Sequence, residues 1–149
     1  MSVSIYTDGS CLGNPGIGGW AFLLADDSQF SNYGNSLYTT NNIMELTAVI
    51  KALQYALTQN FSSVDIYTDS NYVKQGITIW HINWLRNNWK SSNGKEIKNV
   101  ELWKKLISLK NQLHDNNVVL NFFWIKAHDK NTFNNMVDVI ARNAANELR

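Results

Sequence analysis

The chain has 149 residues, of which 44% are hydrophobic and 17% charged, and a net charge of +1. It is long enough to bury a core as one domain spanning 1–149, and its composition excludes a disordered or fibrous chain, while no apolar run approaches the roughly 20 residues of a membrane span. The single cysteine, Cys11, can form neither an internal disulfide nor a structural zinc site; with no signal-peptide pattern at the N-terminus, a cytosolic location without membrane partners is expected.

Ser2–Asp8 alternates, with Val3, Ile5 and Thr7 on one face and Ser4, Tyr6 and Asp8 on the other, the pattern of a strand. Gly13-Asn14-Pro15-Gly16 reads as a turn that Gly18-Gly19 closes. Trp20–Ala25 and Gln29–Leu37 read as strands joined by a hairpin turn at Asp26-Asp27-Ser28. Ile43, Leu46, Ile50, Leu53 and Leu57 recur at helical spacing, with Asn42 as the expected N-cap and Glu45 in capping-box position. Val64–Thr68 is a short strand, Asn71–Leu85 a helix and Asn87–Asn99 a polar loop. Val100, Trp103, Leu106, Ile107 and Leu113 mark another helix; Val118–Ile125 is an apolar strand; Lys126–Asn134 is a loop; and a last helix, opened by Asp138, carries Val137, Ile140, Ala141, Ala144 and Leu148. Hairpin-linked strands followed by helix-linked ones give an α/β layer architecture around a mixed five-stranded sheet.

Charge is unevenly placed along this order. Residues 74–110 carry +6, including Arg86, Lys90, Lys95 and Lys98, and the remainder carries −5. A basic segment on an acidic body suits a polyanion at one place and cations at another. Trp80 and Trp84 stand four apart within the basic segment, where they can pack a helical excursion or touch sugars while the cations meet phosphates.

The sequence also repeats a short phrase: Ile5-Tyr6-Thr7-Asp8 returns as Ile66-Tyr67-Thr68-Asp69. If the two strands are parallel neighbours, two carboxylates lie side by side at the strand ends, an expensive arrangement unless a cation or proton sits between them. Glu45 shares a helical stripe with Val49, Ala52 and Ala56, which at 100° per residue leans toward the sheet. Asp138 stands four residues before Arg142, and His128 follows the last strand. Carboxylates without Cys or clustered His favour Mg²⁺ or Mn²⁺, and two such ions roughly 4 Å apart can activate water and stabilise a leaving oxygen. Asn14, Thr40, Asn41, Asn42 and Asn71 add neutral groups suited to sugars, groove edges and phosphates, and equally suited to turns and caps.

Five segments in order carry a resemblance: Tyr6-Thr7-Asp8-Gly9-Ser10-Cys11-Leu12-Gly13-Asn14-Pro15-Gly16, Thr39-Thr40-Asn41-Asn42-Ile43-Met44-Glu45-Leu46, Thr68-Asp69-Ser70-Asn71-Tyr72-Val73-Lys74-Gln75-Gly76-Ile77, Trp124-Ile125-Lys126-Ala127-His128, and Asp138. Together they resemble bacterial-type ribonuclease HI, the type 1 ribonuclease H family, over nearly the whole chain. The resemblance implies a ribonuclease H-like three-layer fold with sheet order 3-2-1-4-5, and hydrolysis of the RNA strand of RNA–DNA hybrids to 5′-phosphate and 3′-hydroxyl ends. It implies Asp8, Glu45, Asp69 and Asp138 as metal-binding carboxylates holding two ions with substrate bound, and His128 as a residue that moves a proton or assists product release. Asn14, Asn41, Asn42 and Asn71 resemble hybrid-contacting residues, Thr40 stands at a phosphate-contact position, and a basic helical protrusion at about 78–99, with Trp80, Trp84, Arg86, Lys90, Lys95 and Lys98, resembles the element that grips the DNA strand. A monomer is expected. Departures are Ala127 for a usual Gly, Asn135 for a common acid, Ile43 for a frequent Arg, and a protrusion made less basic by Leu85, Asn87 and Asn88. A non-catalytic nucleic-acid-binding module of the same fold is one alternative, and a related nuclease such as an integrase or junction resolvase is another. The complete carboxylate set argues against the first; His128, the Asn41-Asn42 pair and the basic protrusion argue against the second.

Overall fold

Alternation along the first strand decides which groups face which layer. β1 (Ser2–Cys11) sends Val3 and Ile5 into the larger of two apolar clusters and Tyr6 into the smaller, on opposite faces of the sheet. β2 (Gly16–Leu24) runs antiparallel to β1, and β3 (Ser31–Thr39) antiparallel to β2. β4 (Ser63–Thr68) pairs parallel with β1, and β5 (Val119–Trp124) parallel with β4. The order is β3-β2-β1-β4-β5, as expected. The computed structural model describes residues 1–91, 93–126 and 131–149.

Helices cover both faces. α1 (Asn41–Leu57) and α4 (Val100–Asp115) lie on one side, where Leu46, Ile50 and Leu53 join Trp103, Leu106 and Leu113 against Ile5, Phe22, Val64 and Ile66. α5 (Thr132–Asn146) lies on the other, where Val137 and Ala141 meet Tyr6, Ala21 and Leu23. Burying each Val, Leu, Ile or Phe side chain among these is worth about 1.5–3 kcal/mol, the main force holding the layers together.

Several local expectations are corrected. Gly18 and Gly19 belong to β2 rather than to the preceding turn. The turn at Asp26 is confirmed: its Oδ1 accepts from the Ser28 N–H at 3.0 Å. α1 starts earlier than expected because Thr40, not Asn42, is the N-cap, its hydroxyl accepting from the Ile43 N–H at 3.2 Å. The expected helix over Asn71–Leu85 is three pieces: α2 (Asn71–Gln75), a π-helical turn at Gly76–Trp80, and α3 (His81–Arg86). Gly76 explains the interruption, since a Cβ there would stand 2.0 Å from the Trp103 ring, and the wider turn carries the chain over that indole. α5 is capped by Asn131, whose Oδ1 accepts from the Asn134 N–H at 2.9 Å, so Asp138 lies in its second turn and does not open it.

Candidate active site

The repeated phrase in the sequence becomes a register in the sheet. Ile5 pairs with Ile66 and Tyr6 with Tyr67; the two tyrosine rings stack at 4.5 Å, and the Thr7 hydroxyl donates to the Tyr67 carbonyl at 3.1 Å. Continuing the register by two residues sets Asp8 beside Asp69. Asp69 follows the end of β4 as expected, but Asp8 does not end its strand: it pairs with Ala21 of β2, and β1 runs on to Cys11. Asp8 therefore sits in a central strand at the point where pairing to β4 stops.

Glu45 comes from the first turns of α1, which approaches β1 at Gly9. A Cβ on Gly9 would lie 2.4 Å from the Glu45 backbone nitrogen, so only glycine permits this contact. The Gly9 N–H donates to Glu45 Oε1 at 2.8 Å, and this bond replaces the capping-box role expected for Glu45. With Thr40 capping the helix, the carboxylate is released toward the sheet. Val49, Ala52 and Ala56, on the same stripe, are buried, as the helical geometry required.

Asp8, Glu45 and Asp69 each present a carboxylate oxygen within 4.8 Å of the others. Asp8 is 3% exposed and Glu45 5%. Burial, followed by the charges of Glu45 and Asp69, pushes Asp8 up to about 11. Burial and the Asp69 charge raise Glu45 well above its usual range, against the opposing Gly9 N–H. Burial raises Asp69 too, while a hydrogen bond from the Asn134 side chain opposes the shift. Three acids that resist ionising together in so small a space hold either protons or a cation. Among the described residues the set is all oxygen, which fits a hard divalent cation.

Asp138 reaches this group from α5. It lines the same cleft as Asp8, its charge adds to those that raise Asp8, and Arg142 pairs with it at 3.2 Å in the expected i,i+4 arrangement. Asn134, one turn earlier on the same face, lies in α5 rather than at the end of the expected loop. It is 2% exposed, and its four-residue spacing from Asp138 was the signal that both share a face. Trp124 is a second contact that the sequence did not reveal: its indole N–H donates to the Asp69 carbonyl at 3.1 Å.

The carboxylates line an open cleft of about 640 Å³, together with Asn41, Asn42, Asn71 and Tyr72. Asn14 is tied to the rim, its Oδ1 accepting from the Asn41 N–H at 3.0 Å, and Thr40 serves there as the α1 cap. The basic segment lies elsewhere. Arg86, Lys90, Lys95 and Lys98 are exposed, and an isolated bridge between Lys90 and Glu96 folds their loop back. Of the two readings open for Trp80 and Trp84, the structure displays packing: Trp84 lies 5.2 Å from the buried Trp103, 6.0 Å from Trp80 and 6.1 Å from Trp89. His128 and Ala127 fall outside the described residues.

Comparison with known proteins agrees with this architecture. A family model described as RNase H matches residues 1–146. A protein named Ribonuclease H from Ehrlichia chaffeensis is 50% identical over 141 residues, covering 94% of this chain and 92% of its own. The solved structure of LC9-RNase H1, described as a type 1 RNase H with the type 2 active-site motif, superposes with a TM-score of 0.82 at 28% identity, covering 99% of this chain and 74% of that one. LC11-RNase H1, solved in complex with an RNA/DNA hybrid, shares the fold with a TM-score of 0.71 at 22% identity, covering 97% of each chain.

Proposed function

Because the chain belongs to the RNase H family, we propose that it is an endonuclease hydrolysing the RNA strand of RNA–DNA hybrids, leaving 5′-phosphate and 3′-hydroxyl ends. The observation that carries this reading is the cluster of Asp8, Glu45 and Asp69 within 4.8 Å, the first two buried and the third half-buried. Asp8, Glu45, Asp69 and Asp138 would hold two divalent cations, Mg²⁺ or Mn²⁺, with substrate bound. Bound there, such ions neutralise the scissile phosphate, lower the pKa of the attacking water and stabilise the leaving oxygen.

The protein's own groups do the rest. Asp8 offers its carboxylate from the central strand, and the Gly9 N–H holds the Glu45 carboxylate. Asn14, Thr40, Asn41, Asn42 and Asn71 meet sugars and phosphates of the hybrid along the rim. The protrusion at about 78–99 sets Arg86, Lys90, Lys95 and Lys98 against the DNA phosphates, with Trp80 and Trp84 packing beneath them or touching sugars. His128 moves a proton or helps product leave. No helix among the described residues is long and apolar enough to cross a membrane, and the working form in this reading is a cytoplasmic monomer acting as one unit over 1–149. All four carboxylates are present, which speaks against a binding module that has lost its chemistry.

The test uses an end-labelled hybrid, the matching DNA duplex and the matching RNA duplex, each with Mg²⁺ and with chelator. The expected result is cleavage of the RNA strand in the hybrid only, and only with the cation. Chelator-resistant cleavage, or an intact hybrid in Mg²⁺, would overturn the reading.

A further inference from the structure

We propose that Trp124 is a positioning residue for the metal site, its indole N–H holding the backbone of Asp69 so that the Asp69 carboxylate stands where it can receive a cation; this rests on the functional reading above. The three clustered acids are anchored differently. Asp8 is buried within a strand, and Glu45 is buried in a helix with the Gly9 N–H on its carboxylate. Asp69 is half-buried and lies one residue beyond β4, whose end, Thr68, pairs with Trp124. The backbone ladder reaches Thr68, whose carbonyl accepts from the Ile125 N–H at 2.9 Å. At the next residue the donor is a side chain: the Trp124 indole N–H reaches the Asp69 carbonyl at 3.1 Å. The peptide planes on both sides of the Asp69 Cα are thereby tied to β5. Because φ and ψ are the only soft backbone dihedrals, fixing both planes sets the direction in which the Asp69 side chain leaves the chain.

The same indole is held from the other side of this connection. The Ser70 N–H donates to the Thr68 hydroxyl at 3.1 Å, and the Ser70 hydroxyl caps α2 by accepting from the Val73 N–H at 3.1 Å. In the last turn of α2, Lys74 sets its ammonium over the Trp124 ring, 5.2 Å from the centroid. One ring thus touches the carbonyl just before α2 and a cation within it. Trp124 is 44% exposed, so water could have satisfied its N–H; the structure spends that donor on the backbone of a ligand residue. The residue type suits the task. An indole N–H donates only and carries no charge, so it orients the ligand residue without competing with a cation and without ligating it. Groups that orient metal ligands from behind contribute to affinity though they never touch the ion.

The test measures Mn²⁺ binding by calorimetry and the Mg²⁺ dependence of hybrid cleavage in wild type, Trp124→Phe, a protein with 3-benzothienylalanine in place of Trp124, and Asn121→Ala. Phenylalanine keeps an aromatic ring for Lys74 and removes the donor. Benzothienylalanine replaces the indole N–H by sulfur in a ring system of the same size, so it serves if phenylalanine leaves a gap that unfolds the protein. Asn121 is the structural control: its amide donates to Asp65 Oδ1 at 3.1 Å, further back along the same pair of strands. Loss of a group that orients a metal ligand typically costs about 10–100-fold in metal affinity or activity, and a backbone contact belongs at the low end. The expected result for either Trp124 replacement is Mn²⁺ binding about tenfold weaker, a matching rise in the Mg²⁺ midpoint, and an unchanged KM for the hybrid at saturating Mg²⁺. Asn121→Ala should leave Mn²⁺ affinity at the wild-type value. Wild-type affinity in a folded protein lacking the indole N–H, or an equal loss in Asn121→Ala, would overturn the proposal. A wild-type protein that neither binds Mn²⁺ nor cleaves would overturn the reading of the site instead.

Discussion

In the cleft, each functional side chain is held by more than one element: Asp8 by β1 and its neighbour β2, Glu45 by α1 against Gly9, Asp69 by the end of β4 and by Trp124 of β5. In the protrusion, Arg86, Lys90, Lys95 and Lys98 are all exposed on one short helix and the loop after it. The first region concentrates like charge in a buried space, where stability is lost to hold ligands ready. The second spreads like charge over solvent, where screening makes it nearly costless. Chemistry at a fixed point needs the former; gripping a repetitive polyanion needs only the latter. The difference predicts that the two regions can be disabled separately.

The largest effect is expected from Asp8→Asn, which breaks the cleft and spares the protrusion. Cleavage should be nearly abolished while hybrid affinity stays close to wild type, measured by single-turnover kinetics and by binding in chelator. The same variant should be the more stable one without metal at neutral pH. Asp8 is raised from the usual aspartate range to about 11, and Glu45 and Asp69 are raised as well. Between roughly pH 4 and that upper value the folded chain holds protons that the unfolded chain releases, so stability falls as pH rises, by at most about 1.4 kcal/mol per pH unit for each such group. Thermal melts of metal-free wild type should therefore decline from pH 5 to pH 8, and Asp8→Asn should flatten that decline. A steeper decline in the variant would show that the acids are not repelling one another.

Replacing Arg86, Lys90, Lys95 and Lys98 together with Ala reverses the experiment. Turnover at saturating hybrid should persist, while the plot of log affinity against log salt becomes shallower by up to about 0.9 per lost phosphate contact. A shared fall in turnover with an unchanged salt slope would mean that these cations act on the cleft and not on the backbone of the substrate.

The two regions also differed in how far the sequence exposed them. The match of Ile5-Tyr6-Thr7-Asp8 to Ile66-Tyr67-Thr68-Asp69 was legible because strand register preserves linear order, and the Glu45 stripe was legible because helical periodicity does. The cap of α1 was misread because Thr40, Asn41 and Asn42 all have capping chemistry, and the choice fell to whichever residue left Glu45 free to meet Gly9. Phe133 and Met136 carry the apolar period of Val137 and Ile140 back toward the Asn131 cap, a signal that the polar residues around them obscure, so Asp138 is not the residue that opens the helix. The π-helical turn at Gly76 depends on the Trp103 ring from another helix, which local spacing cannot reveal.

The smallest effect on activity is expected where the regions are joined. Tyr72 lines the cleft, and its hydroxyl accepts from Trp103 Nε1 at 2.9 Å and from Asn99 Nδ2 at 3.1 Å. Asn99 closes the loop after Lys98 in a left-handed conformation, and as the N-cap residue of α4 it makes no side-chain capping bond; its amide is spent on Tyr72 instead. One hydroxyl thus links the cleft wall, the core indole under the protrusion and the end of the basic loop. Tyr72→Phe keeps the ring against Trp80 and Trp103 and removes only that link. Trp103 is fully buried, so its stranded N–H should cost about 1–3 kcal/mol of stability. Freed from Tyr72, the Asn99 amide can turn to water, and the loop bearing Lys95 and Lys98 loses its anchor. Hybrid KM should then rise a few-fold with kcat nearly unchanged, the reverse of the pattern for Asp8→Asn. If kcat falls and KM holds, the hydroxyl serves the cleft directly, and the separation of the two regions stops at Tyr72.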